Sequence, residues 1–156
     1  MRTVPVKLVP AWLAGFALLA SASGCDAATP IEIYDSPSKA PTAVQHALAE
    51  AAKEHKNVLL DFGANWCGDC RVLYRRLHGK RNGALLRKNF ITVYINVGET
   101  DRNLDLAKRY QVPVKTGIPQ IAVVDEHGKV IGSQLGVMSE DELHDFLLLR
   151  TPQNDR

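Results

Sequence analysis

The stretch Val58-Leu59-Leu60-Asp61-Phe62-Gly63-Ala64-Asn65-Trp66-Cys67-Gly68-Asp69-Cys70-Arg71 decides how this chain is read. An apolar run broken only by Asp61 leads into Cys-x-x-Cys, and Val72, Leu73 and Leu77 follow at helical spacing. A strand that delivers two thiols to the start of a helix is an arrangement for redox chemistry. The unpaired N–H groups and partial positive charge of a helix N-terminus favour the leading thiolate, lowering a cysteine pKa into a range of roughly 3.5–7.5. Cys67 is therefore expected to attack a disulfide and Cys70 to resolve the mixed disulfide that results.

Two other uses of the same spacing compete with this one. A structural disulfide across two residues closes so small a loop that it restrains the unfolded chain very little. A metal would need two further ligands, and His78 stands about two helical turns past Cys70, poorly aimed to share an ion. A metal-binding or metallochaperone module using Cys67 and Cys70 is the alternative from another class. Asp61 is the odd residue of the strand, because burying a bare carboxylate costs several kcal/mol unless it is protonated or paired. Its pKa is expected to rise; the alternative is an acid at a strand end facing water.

The segment Asp61 to Arg71 resembles the active-site segment of thioredoxins, and Gly117-Ile118-Pro119 resembles their cis-proline loop. Single-domain bacterial thioredoxins with a Trp-Cys-x-Asp-Cys centre, some described as disulfide-isomerase-like, are similar. The resemblance covers about residues 42–149 and implies a thioredoxin-like three-layer α/β sandwich, a mixed sheet with helices on both faces. It implies that Asp61 is the buried acid that moves a proton to and from Cys70. It also implies a cis bond before Pro119, with the Ile118 backbone binding an extended substrate segment beside the sulfurs and Trp66 as an apolar rim. This sequence departs from thioredoxins where a Lys usually approaches that acid: Ile91 to Val97 offers no basic residue.

Gly68, Asp69 and Arg71 are the candidates for tuning the centre. A carboxylate about 6 Å from the Cys67 sulfur would disfavour its thiolate by roughly 0.7 kcal/mol at the dielectric of water. Asp69 should thus make the centre more reducing than a histidine there would, and Arg71 opposes that effect. Arg71, Arg75 and Arg76 form a candidate basic patch for an acidic partner. His46, His55, His78, His127 and His144 share no spacing and read as surface residues.

One domain suits 156 residues, and a hydrophobic share of 46% is ordinary for a globular chain. The formal charge of +2 rests on Arg2 and Lys7, because residues 1–24 hold no acid. The remainder is balanced, which gives no support for nucleic-acid binding. Arg2, Lys7, the apolar run from Leu8 to Ala20 and Ser21-Ala22-Ser23-Gly24 form a signal-peptide pattern over residues 1–24, too short for an ordinary spanning helix. The tetrad Ala22-Ser23-Gly24-Cys25 resembles a bacterial lipobox, with Ala22 where Leu is usual, which implies lipidation of Cys25. Asp26 then implies retention at the inner membrane. The alternative is cleavage after Ala22 and a soluble periplasmic protein.

Residues 25–41, rich in proline, are expected to be a tether, with Ile31, Ile33 and Tyr34 a possible edge strand. The domain is expected over 42–150 and a frayed tail over 151–156. Within the domain the pattern predicts a helix over Thr42–Lys56, strands over Val58–Phe62 and Ile91–Val97, and a helix from Cys70 to Leu77. A break is expected at Gly79 to Gly83, then helical turns to Asn89, and a helix over Arg102–Tyr110. Gln120–Asp125 and Val130–Leu135 bracket the turn Asp125-Glu126-His127-Gly128 as a hairpin. Ser139 and Glu142 form a capping-box pattern for a last helix burying Leu143, Phe146, Leu147 and Leu149.

The reading is a thiol–disulfide oxidoreductase that reduces protein disulfides outside the cytoplasm. No metal, flavin or nicotinamide cofactor is implied, so electrons must come from a membrane thiol donor. An oxidase or isomerase is the alternative. Isomerases usually dimerise and no dimerisation segment precedes Thr42, so a monomer is expected.

Overall fold

The structure, a computed structural model, describes residues 31–152. The expected signal peptide, Cys25 and residues 153–156 lie outside the described residues. The order of elements is α1 (Ala40–Glu54), β1 (Asn57–Gly63), α2 (Gly68–Leu77), α3 (Lys80–Asn89), β2 (Phe90–Asn96), α4 (Leu104–Arg109), β3 (Gln120–Val124), β4 (Val130–Leu135) and α5 (Glu140–Leu148). Short 3-10 turns fill Pro37–Lys39 and Val114–Thr116. The sheet runs β2-β1-β3-β4, with β1 parallel to β2 and the other pairs antiparallel. This is the mixed-sheet sandwich that the sequence predicts.

The apolar run of β1 reads as continuous because every residue from Asn57 to Gly63 is buried at the centre of the sheet. Successive side chains point to opposite faces. Val58, Leu60 and Phe62 join Val44, Ala47 and Ala51 of α1 and Leu106 and Ala107 of α4 in one core. Leu59 joins Leu73, Leu77, Leu86, Leu143 and Leu147 on the other side. By this alternation Asp61 and Gly63 face α2, the helix that carries the cysteines.

Three local differences from the sequence reading have physical causes. The expected break at Gly79 to Gly83 is instead the start of α3. Gly83 is buried there, and a Cβ on it would stand 3.3 Å from the His78 carbonyl oxygen, so the missing side chain lets α3 close against the end of α2. The helix expected over Arg102–Tyr110 shortens to α4. Asn103 adopts a left-handed φ of 53° and donates from Nδ2 to the carbonyls of Asn96 (2.7 Å) and Pro37 (3.0 Å). Finally, the described part of the expected tether is packed on the domain: Tyr34 and Ala40 are buried, no strand forms at 31–34, and α1 begins at Ala40. Leu149 is 70% exposed, while Thr151 is buried at 7%, so the chain stays ordered into the expected tail.

The hairpin turn is closed by Asp125 Oδ1, which accepts from the N–H groups of His127 (3.0 Å) and Lys129 (2.9 Å). The capping box of α5 is complete: Ser139 Oγ accepts from Glu142 N–H at 3.2 Å, and Glu142 Oε2 accepts from Ser139 N–H at 2.8 Å. Replacing Ser139 by Ala removes one of these and should cost about 1 kcal/mol. Urea unfolding of the two proteins measures it; equal midpoints would show that the cap contributes nothing to stability.

Candidate active site

The cysteines sit where β1 hands over to α2. Cys67 is the N-cap of α2, and its Sγ accepts from the Cys70 N–H at 3.1 Å. The two sulfurs are joined in a disulfide with Cα atoms 5.3 Å apart. Cys67 is 5% exposed and Cys70 fully buried, so an incoming disulfide reaches Cys67 first. The Ile118–Pro119 peptide is cis, as the resemblance implies, and the Ile118 carbonyl oxygen lies 3.9 Å from Cys67 Sγ. Gly117, with φ of 143°, leads into this loop in a backbone conformation that L side chains rarely adopt.

A cleft of about 450 Å³ opens over this junction, lined by Trp66, Cys67, Asp69, Thr100, Thr116 and Ile118. Trp66 is 57% exposed and its Nε1–H donates to the Gly98 carbonyl at 3.1 Å, which fixes the indole as one wall. Gly68 and Asp69 are exposed on the first turn of α2. Arg71 turns to the preceding loop, where its guanidinium donates to the Asn65 carbonyl from Nε at 3.1 Å and from Nη2. Arg76 donates to the Met138 carbonyl next to α5. Of the three arginines expected to share one patch, Arg71 and Arg76 are thus turned to different neighbours.

Asp61 is fully buried. Burial pushes its carboxyl up to about 7, while a hydrogen bond from Tyr34 pulls the other way. Tyr34 Oη donates to Asp61 Oδ1 at 3.1 Å. In the register of the sheet Asp61 pairs with Tyr94, so an uncharged phenol occupies the neighbouring strand where a Lys is usual in the resembling family. Burial, then the Asp61 charge, raises both phenols far above their ordinary range. Asp61 Oδ2 has no hydrogen-bond partner among the described residues.

Sequence reasoning missed Tyr34, Gly63 and Asn65. Asn65 Oδ1 accepts from the N–H groups of Ile33 and Tyr34, each at 2.9 Å, and its Nδ2 donates to the Tyr34 carbonyl at 2.7 Å. Asn65 stands inside the quoted motif, but an amide in a loop carries no signal of what it will hold. A Cβ on Gly63 would fall 2.2 Å from Tyr34 Oη and 2.9 Å from Cys70 Sγ, so only glycine leaves room for both. Among the described residues no group of three or more His, Cys, Asp or Glu side chains is placed to hold a metal ion.

A mixed sheet with a Cys-x-x-Cys disulfide at a helix N-terminus, opposed by a cis-proline loop and underlain by a buried acid, defines a thioredoxin fold with a redox-capable cysteine pair. The chain belongs to the thioredoxin-like family, whose model matches residues 40–126. It is 31% identical over 90 residues to the mitochondrial thioredoxin of Mus musculus, covering 58% of this chain and 49% of that one. It thus spans about half the length of the mitochondrial thioredoxins it matches. A thioredoxin of Buchnera aphidicola subsp. Baizongia pistaciae is 31% identical over 94 residues, 60% of this chain and 78% of the relative. Among solved structures, a disulphide isomerase from Xylella fastidiosa Temecula1 superposes with a TM-score of 0.70 at 41% identity, covering 78% of this chain and 98% of that one. The oxidised C-terminal domain of Neisseria meningitidis DsbD gives 0.57 at 25% identity, covering 76% and 98%.

The buried acid sets a pH dependence of stability. Its carboxyl titrates near 3.8 when unfolded and about 7 in the fold, so the fold disfavours its charge. That cost is absent below the unfolded value, grows as pH rises toward 7, and is constant above it. Asp61→Asn should therefore match the parent near pH 4 and exceed it by on the order of 2–4 kcal/mol at pH 8. Denaturant unfolding across pH checks this, and a pH-independent difference would contradict it.

Proposed function

We propose that the chain is a thiol–disulfide oxidoreductase that reduces disulfides in protein substrates. The observation that carries this is the placement of Cys67 at the N-terminus of α2, at the mouth of a cleft walled by Trp66 and Ile118, with Cys70 buried behind it. In the reduced dithiol the Cys67 thiolate attacks one sulfur of a substrate disulfide, and the other substrate sulfur leaves with the electron pair and takes a proton. Cys70 gives its proton to Asp61 and attacks Cys67. The Cys67–Cys70 bond forms, the bond to substrate breaks, and the second substrate sulfur leaves with the electron pair as a thiolate, which takes up the proton that Asp61 then releases. Two electrons pass from the cysteine pair to the substrate; one of the two protons comes from Cys70 by way of Asp61 and the other from water. The Ile118 backbone and Trp66 hold the extended substrate segment across the sulfurs.

Asp69 supports the reducing direction, because an exposed carboxylate on the first turn of α2 disfavours the reduced thiolate and lowers the potential. The disulphide isomerase from Xylella fastidiosa, at 41% identity, favours disulfide shuffling as the second reading. The amino-terminal signal pattern supports export, and Cys25 supports a lipid anchor at the inner membrane; the protein then draws its electrons from a membrane thiol donor. It acts as a monomer.

The test is insulin reduction together with the reduction potential of the pair. The reductase reading predicts turnover with dithiothreitol that is lost in Cys67→Ser, and a potential near or below that of thioredoxin, about −270 mV. In Cys70→Ser, substrate proteins should accumulate as mixed disulfides on Cys67. A potential near −120 mV, as in strong oxidants, or capture by Cys70 rather than Cys67, would overturn this reading.

A further inference from the structure

The segment before α1 reaches into the redox centre. Asn65 pairs with Ile33 and Tyr34 through their backbone, Asn96 Nδ2 donates to the Asp35 carbonyl at 3.1 Å, and Asn103 holds the Pro37 carbonyl. Three asparagines at the cysteine end of the sheet thus fix the backbone on both sides of Tyr34. The Tyr34 side chain lies 1% exposed against Cys67 and Cys70. Its hydroxyl is bonded to the buried acid at Asp61 Oδ1 and borders, beside the resolving sulfur of Cys70, the space that Gly63 leaves open.

We propose that Tyr34 is a positioning residue for the resolving step: by donating to Asp61 Oδ1 it fixes the carboxyl and leaves Oδ2 as the oxygen that takes the Cys70 proton. This rests on the dithiol reading above. In the mixed disulfide the Cys70 S–H proton moves to Oδ2, the Cys70 sulfur bonds to Cys67 Sγ, and the electron pair of the broken bond departs on the substrate sulfur. Tyr34 keeps its own proton throughout, because burial and the Asp61 charge hold its phenol well above the usual range. Among the described residues on the neighbouring elements, Tyr94 is paired with Asp61 on β2, Cys70 lies on α2, the helix this face of β1 turns toward, and on β3 its partner Ile121 brings no charge. Only Tyr34 makes a hydrogen bond to the carboxyl among the described residues. Its role is therefore separable from that of Tyr94, whose hydroxyl pairs with His78 Nε2 at 3.5 Å.

The test is a carboxyl NMR titration of Asp61 in the full chain, with stopped-flow rates of attack and resolution on a peptide disulfide. Tyr34→Phe keeps the ring and removes the donor. It should raise the Asp61 midpoint by about one pH unit, since a donor to a charged oxygen favours the ionised form. Resolution needs the carboxylate, so below the midpoint the ratio of resolution to attack should fall about tenfold. Tyr94→Phe should leave the midpoint in place. Fluorotyrosine at position 34, a stronger donor with the same packing, should lower the midpoint and serves equally if Tyr34→Phe folds poorly. An unmoved midpoint in both Tyr34 variants, an equal shift in Tyr94→Phe, or equal slowing of attack and resolution would overturn the proposal. The midpoint reports on Tyr34 whether or not the wild type reduces disulfides, so failure of the dithiol reading would appear separately, as absent turnover in the wild type.

Discussion

At 3.1 Å, the hydrogen bond from the Cys70 N–H to Cys67 Sγ joins the fold to its chemistry. It exists because α2 begins one residue after Cys67, which leaves the first-turn N–H groups without carbonyl partners and turned toward the sulfur. Donors of this kind cost nothing to reorganise when the thiolate forms, since the helix already holds them. The helix start is fixed by β1, whose full burial pins the preceding backbone, and by Gly63, whose missing side chain lets Cys70 and Tyr34 close over the strand. The opposing wall comes from the loop before β3, where the Ile118 carbonyl approaches the same sulfur.

Beneath that surface the centre holds a carboxyl in a position that works against stability. Asp61 sits on the α2 face of the central strand, where Leu59 two residues earlier is simple core. Its raised pKa follows from removal from water, and Tyr34 offsets part of the effect. A group poised near neutrality can accept and return a proton at working pH with little energetic bias. Two phenols stand around it instead of an ammonium group, so the site is tuned by hydrogen bonding and desolvation rather than by a neighbouring positive charge.

Where the sequence was legible, a local rule matched a global constraint. The run Val58 to Phe62 is uninterrupted because both its faces are covered, and Asp61 stands out within it for the same reason. Ser139 and Glu142 declare a helix start through a bond pattern three residues wide. The cysteine spacing, followed by Val72, Leu73 and Leu77, locates α2. What was hidden depends on distant partners. Tyr34 lies in a proline-rich segment without periodicity, and its backbone is held by Asn65 after β1, Asn96 at the end of β2 and Asn103 before α4. Gly79 and Gly83 read as punctuation, yet Gly83 is there so that α3 can close on α2. Arg71, Arg75 and Arg76 cluster in sequence, while hydrogen bonds take Arg71 and Arg76 to different carbonyls.

The most direct test of the thiolate at the tip of α2 is the ionisation of Cys67 in the reduced protein, followed by ultraviolet thiolate absorbance and by the pH dependence of alkylation in a Cys70→Ser background. The fold predicts a midpoint within roughly 3.5–7.5, well under that of free cysteine. A thiol that ionises at about 8.5 or above, like an isolated side chain in water, would contradict the account.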